Sequence, residues 1–299
     1  MPSRLLQGAA LLLLAAPGGA QLPTGERLLT TPAWLSAHLN DRDLVVLHVG
    51  RAEAYAREHI AGTRLAVRSD FASDEMPLLE MLPEAQLRRS LERLGIGDGS
   101  RIVVVSDGES LADATRIFFT LGFAGLGERT LFLDGGLPAW KEAHQPVTTA
   151  VPEPATKARL TSKFLPAVVV DAALVGTLGS KREPRLVDAR AAIFFNGPKG
   201  DMEAAGHIAG AVNLPFNSLV SESGKLLPRA ILAERFAAAG IAPTDSLVVY
   251  CHIGQQATVV LLAARVLGHE VKLYDGSFHD WSNRNLPTER SPAANGKSR

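Results

Sequence analysis

The chain has 299 residues, room for about two domains at the usual ~100–200 residues each. With 46% hydrophobic and 21% charged residues it is globular in composition, which excludes a disordered chain. Lys plus Arg and Asp plus Glu number 31 each, so no overall field draws it to nucleic acid or anionic lipid, and its single cysteine excludes internal disulfides, Cys-rich zinc sites and Cys-ligated iron–sulfur clusters.

The N-terminus runs Met1, Pro2, Ser3, Arg4, then an apolar stretch from Leu5 to Ala16 closed by Gly18, Gly19 and Ala20. One basic residue, a short apolar run and small residues predict a secretory signal over residues 1–20. The mature protein is then periplasmic or secreted, with no membrane attachment after cleavage. The run is shorter than the ~20 apolar residues a bilayer span requires; a buried N-terminal helix is the alternative. A first domain follows over residues 26–146, with strand-like runs at Leu44 to Val49, Ile102 to Val105 and Thr130 to Leu133. Helix-like stretches occupy Pro83 to Leu94 and Leu111 to Leu121. Over residues 147–163 the periodicity lapses among prolines, as expected of an interdomain linker.

The second domain, residues 164–290, repeats the first. Strand-like runs recur at Leu186 to Asp188, Ser246 to Tyr250 and Val271 to Tyr274, and helix-like stretches at Arg229 to Ala239 and Gln255 to Leu267. His59-Ile60-Ala61-Gly62 returns as His207-Ile208-Ala209-Gly210, and Asp134-Gly135-Gly136 with Trp140 as Asp275-Gly276-Ser277 with Trp281. The order of these matches indicates one duplicated domain of the α/β class, a parallel sheet flanked by helices. Chemistry in such folds sits at the carboxyl ends of the strands. Residues 291–299 read as a frayed tail.

The lone cysteine, Cys251, stands at such an end, followed by His252-Ile253-Gly254-Gln255-Gln256 and then a helix. A short loop turning into a helix N-terminus directs backbone N–H groups inward as an anion nest, with Gly254 supplying the backbone freedom. That setting predicts a stabilised thiolate, with the thiol lowered from its ordinary value. A cysteine lacking this context is an inert small hydrophobe. The corresponding residue of the first copy is Ser106, followed by Asp107-Gly108-Glu109. Serine cannot carry a sulfur atom, and the two carboxylates repel an anion, so the first copy is expected to be silent.

Leu186-Val187-Asp188-Ala189-Arg190, Gly206-His207-Ile208-Ala209-Gly210-Ala211, the loop opened by Cys251, and Leu273-Tyr274-Asp275-Gly276-Ser277 with Trp281 together resemble the tandem-domain rhodanese family of thiosulfate sulfurtransferases. The resemblance implies two rhodanese-like domains, the second catalytic, and a Cys251 persulfide formed from a small anionic sulfur donor. A thiol or cyanide acceptor, or a protein sulfur acceptor, then removes the sulfur. It requires no metal and no organic cofactor.

His252 and Ile253 stand where many rhodaneses carry Arg or Lys, and the mercaptopyruvate sulfurtransferases favour small residues there, so the donor is open between thiosulfate and 3-mercaptopyruvate. The loop amides are the expected anion ligands. The side chains of Gln255 and Gln256 can add amide N–H groups, and His252 a charge when protonated. Arg190 is read either as a substrate cation or as the partner of Glu203, the pairing being favoured. Lys199, in the inserted loop Asn196 to Gly200, either attracts the donor or is a solvated lysine. His207 and His59 are assigned to packing, and Asp275, Asp134, Trp281 and Trp140 to turns and core. A phosphatase would place arginine where Ala257 stands, which disfavours that activity. A non-enzymatic sulfur carrier or redox sensor is a third reading.

Overall fold

The computed structural model describes residues 24–73, 80–153, 155, 158–179, 183–197 and 206–290. The signal segment, Lys199, Glu203 and the tail lie outside the described residues. Along the first copy run β1 (Leu29–Thr30), α1 (Pro32–His38), β2 (Leu44–Val49), α2 (Ala52–Arg57), β3 (Arg64–Ala66), α3 (Glu84–Arg93), β4 (Arg101–Ser106), α4 (Leu111–Leu121), β5 (Thr130–Leu133) and α5 (Gly136–Glu142). The second copy contains β6 (Val169–Val170), α6 (Ala172–Gly176), β7 (Arg185–Asp188), α7 (Ala192–Asn196), β8 (His207–Ile208), β9 (Val212–Asn213) and α8 (Arg229–Ala238). It ends with β10 (Leu247–Tyr250), α9 (Ala257–Leu267), β11 (Val271–Tyr274), α10 (Ser277–Asn283) and β12 (Thr288–Glu289).

Among the described residues each copy builds a five-stranded parallel sheet, ordered β1-β5-β4-β2-β3 and β6-β11-β10-β7-β9. The matching orders make the copies structural as well as sequence repeats. β4 and β10 are central, and their continuous apolar runs, Ile102 to Val105 and Leu247 to Tyr250, are buried on both faces, as strands covered by helices require. Helix starts follow their local chemistry. Thr31 caps α1 by accepting from the Trp34 N–H at 3.2 Å with Pro32 in the first turn, and Asp171 caps α6 by accepting from Leu174 N–H at 2.9 Å. α3 is amphipathic and buries Leu87 and Leu91, whereas α4 and α9 are buried almost all round.

That difference has a cause: α4 and α9 pack against each other between the copies. One apolar cluster runs from Leu28, Phe118 and Phe132 of the first copy through Val260, Leu261 and Cys251 of the second. The segment between the copies is strapped down. Leu160 and Phe164 are buried, Arg88 donates to the carbonyls of Leu160 and Ser162 at 2.5 and 3.2 Å, and Thr161 Oγ1 donates to Asp98 at 2.7 Å. No helix among the described residues is long and apolar enough to cross a membrane.

His48, near the end of β2, occupies the register position that Asp188 holds in the second copy. Its ring is fully buried, and neither nitrogen has a hydrogen-bond partner among the described residues. Burial pushes it down to about 4, His59 adding to the fall and Asp107 opposing it. Because the folded value lies below the unfolded one, His48 contributes fully above the unfolded value near ~6.5, and its contribution of about 3 kcal/mol is lost as pH falls through the folded value. His48→Phe is therefore expected to flatten the loss of unfolding free energy between those two pH values. Denaturant titrations of both proteins across that window test this; parallel curves would refute it.

Candidate active site

Cys251 directly follows β10, at the carboxyl edge of the second sheet, and is fully buried. Its backbone is fixed from α10: the Cys251 N–H donates to Ser277 Oγ at 3.2 Å, and the Phe278 N–H donates to the Cys251 carbonyl at 3.0 Å. Ser277 holds the left-handed conformation with φ +54°, an unusual state for a non-glycine residue, and its hydroxyl donates to the Tyr274 carbonyl at 2.9 Å. The His279 N–H donates to the His252 carbonyl at 2.9 Å.

The loop then curls around the sulfur. Backbone N–H groups of Ala257, Ile253 and Gln256 face the thiol and favour its anion. Gly254 sits at the tightest point, with φ +79°, and a Cβ there would lie 2.6 Å from the Asp275 carbonyl oxygen. The expected lowering of the thiol does not hold for this closed site. Burial pushes Cys251 up and Asp188 adds to the rise, together outweighing the three amides. The amides nonetheless act in favour of the sulfur anion.

The other expected residues fall into distinct places. His252 is exposed at the rim, its ring 6.3 Å from that of His279, and Ile253 and Gln256 are half-buried. The Gln255 side chain reaches the first copy, its Nε2 donating to Asp113. Arg190 is 2% exposed and paired with Asp188, two residues earlier, while its Nη1 has no hydrogen-bond partner among the described residues. Its Nε lies 3.0 and 3.1 Å from the two Asp188 oxygens, its Nη2 is 2.6 Å from Oδ2, and Nη2 also donates to the Gly206 carbonyl at 2.7 Å. The guanidinium lies 3.9 Å over the Phe278 ring and within electrostatic reach of Cys251.

His207 and His59 pack. His207 stacks on Phe195 at 3.6 Å with Nδ1 2.9 Å from the Phe195 carbonyl, and His59 stacks on Tyr55 at 3.9 Å with Nδ1 2.8 Å from the Tyr55 carbonyl. Trp140 and Trp281 are buried and donate to the carbonyls of Pro146 and Pro287, both at 2.9 Å. Asp134 and Asp275 do more than form turns. Asp134 accepts from the Leu226 N–H at 2.9 Å, and Asp275 accepts from the Met81 N–H at 3.0 Å, so each reaches into the opposite copy. Asp113, Arg116 and Ser277 were not read as site-forming from sequence; the only signal was that Asp134 and Asp275 recur.

In the first copy the equivalent loop is closed on itself. The Glu109 and Ser110 N–H groups donate to Asp107 Oδ1 at 3.0 and 2.8 Å, and the Gly108 N–H donates to Ser106 Oγ at 3.1 Å. In that copy the loop amides of Gly108, Glu109 and Ser110 are taken up by the chain's own hydroxyl and carboxylate.

Comparison with known proteins matches the Rhodanese-like domain twice, at residues 31–143 and 172–284. The thiosulfate sulfurtransferase of Azotobacter vinelandii is 30% identical over 259 residues, covering 86% of this chain and 94% of the relative. The 3-mercaptopyruvate sulfurtransferase of Escherichia coli K12 is 28% identical over 272 residues, covering 86% and 95%. The crystal structure of SseA from Escherichia coli, titled as a 3-mercaptopyruvate sulfotransferase, superposes with a TM-score of 0.74 at 26% identity over 84% of this chain and 98% of that one. With both copies matched and each sheet closing on the same strand order, the chain belongs to the rhodanese-like family as a tandem-domain sulfurtransferase of the rhodanese type.

Proposed function

We propose that the protein moves sulfane sulfur from thiosulfate to a thiol or cyanide acceptor, or to a protein sulfur acceptor, through a persulfide on Cys251. The carrying observation is the set of three backbone N–H groups aimed at one buried sulfur. In the first half-reaction the Cys251 thiolate attacks the outer sulfur of thiosulfate, the S–S bond breaks, and its electron pair leaves with sulfite. Cys251 is left as a persulfide anion. In the second, the acceptor's electron pair takes the terminal sulfur and returns the thiolate.

The amides are preorganised for both anions: negative charge rests on the inner sulfur before transfer and on the outer sulfur after it, and the dry pocket strengthens each N–H contact. Exposed His252 supplies charge at the rim when protonated, and Arg190 balances the sulfur from inside. The first copy is silent in this reading because its loop amides hold Asp107. A relative named for 3-mercaptopyruvate, at almost the same identity as the one named for thiosulfate, supports that compound as the alternative donor.

Incubation with thiosulfate is expected to add about 32 Da, one sulfur, to Cys251 and to release sulfite, while Cys251→Ala does neither. Turnover by that variant would overturn the proposal, and faster loading from 3-mercaptopyruvate would reassign the donor. The same intact mass, taken on protein collected from outside the cytoplasm, tests the accompanying proposal that the signal is cut before Gln21; an uncut cytoplasmic chain would refute export.

A further inference from the structure

We infer that Arg116, on α4 of the silent copy, is a positioning residue for the sulfur site of the other copy. The inference rests on Cys251 being the reactive group. Arg116 is 2% exposed, and its Nη1 donates to the Gly254 carbonyl at 3.2 Å and lies 2.5 Å from Asp275 Oδ1. Asp275 is itself held by the Met81 N–H of the first copy. On the same helix Asp113 accepts from the Gln255 side chain. Thr115 Oγ1 lies 2.8 Å from Thr258 Oγ1, which donates to the Gln255 carbonyl at 2.7 Å. Side chains of α4 thus fix both ends of the Gly254–Gln255 stretch.

The geometry makes this more than interface packing. In a trans peptide the C=O and the next N–H point in opposite directions. Holding the Gly254 carbonyl out against a guanidinium therefore turns the Gln255 N–H the other way and sets the curl that brings the Gln256 and Ala257 N–H groups to the sulfur. Gly254 has the freedom to rotate that peptide plane. A carbonyl swung inward would bring its negative end toward the anion instead. An arginine buried at an interface is costly unless its charge is compensated, and here Nη1 meets one loop carbonyl and the carboxylate beside it.

The test compares the full mature chain with Arg116→Met, which keeps the stem and removes the charge, and Arg116→Lys, which keeps a charged donor. The pH midpoint of Cys251 alkylation by iodoacetamide is the main readout, taken at a temperature where thermal melts show all three proteins folded, because an unfolded chain exposes a thiol of ordinary reactivity. The groups around the sulfur, Asp188, Arg190 and Tyr250 within and His252 and His279 at the rim, are identical in all three proteins. In Arg116→Met the midpoint is expected to rise by about one pH unit. With thiosulfate its kcat should fall about tenfold while KM changes less than about twofold, and Arg116→Lys should recover at least about half of the midpoint shift. A wild-type midpoint in Arg116→Met, or an Arg116→Lys midpoint displaced as far as that of Met, overturns the inference. Alkylation needs no sulfur donor, so a wild-type protein that fails to load from thiosulfate would defeat the proposed function while this comparison still stands.

Discussion

Gly254→Ala is expected to slow Cys251 persulfide formation by about 100-fold or more, since it disturbs several amides of a site in which a single donor is worth roughly 10²–10³ in rate. The substitution carries two separate penalties. Alanine at φ +79° costs on the order of 1–2 kcal/mol, and its Cβ would sit 2.6 Å from the Asp275 carbonyl oxygen and 3.2 Å from both Arg116 Nη1 and Asp275 Oδ1. Backbone on one side and a buried ion pair on the other leave the loop, not its surroundings, to move. The fold should survive, because Gly254 bears no core side chain. Gly62 provides the control: its φ is +75°, but a Cβ there meets nothing within 4 Å. Gly62→Ala should therefore cost only the conformational strain and load sulfur at the wild-type rate. Single-turnover mass labelling with thermal melts separates rate from stability. Gly254→Ala loading at the wild-type rate would show that the amide curl does not govern the chemistry.

The reactive loop was legible because its features are local. A buried strand running into cysteine, one glycine in a five-residue loop and an apolar helix fix position and curvature together, and the structure keeps the helix start at Ala257. The central strands were legible for the same reason, as continuous apolar runs. The edge strands were not: β1, β6 and β9 are each two residues long, too short to carry a period. Contacts between the copies were equally hidden. Arg116 stands in a helix where nothing local distinguishes a surface cation from a buried one, and its partners Gly254 and Asp275 lie far along the chain. The inward amides were expected from the loop's geometry, yet the direction of the thiol's shift was not. That direction depends on the depth of burial, set when α4 and α9 close over the site from two copies. Arg190 shows the same limit: the spacing gave no sign that its guanidinium turns back onto Asp188, fully buried two residues before it, while Glu203 lies outside the described residues.

That Asp188–Arg190 pair carries the largest expected stability effect. Asp188 is 0% exposed and meets Arg190 through three side-chain contacts of 2.6 to 3.1 Å and the Arg190 backbone N–H at 2.9 Å. Against burial, the Asp188 carboxylate holds the Arg190 guanidinium above its ordinary value, so the charge remains inside the protein. Asp188→Leu strands that cation, and Arg190→Met strands the carboxylate; each is expected to lower unfolding free energy by about 3–5 kcal/mol. The double variant removes both charges and should lose less than the sum of the two, by a coupling of about 1–3 kcal/mol. Denaturant midpoints of the four proteins give this cycle directly, and additive losses would mean that the pair does not act as a unit. The same four proteins divide structural from chemical roles. Asp188 pushes the Cys251 thiol up, whereas the Arg190 cation lies close enough to favour a sulfur anion. A double variant that regains stability yet still loads sulfur slowly assigns Arg190 to the anion; one that regains both confines it to holding β7 and its following loop in place.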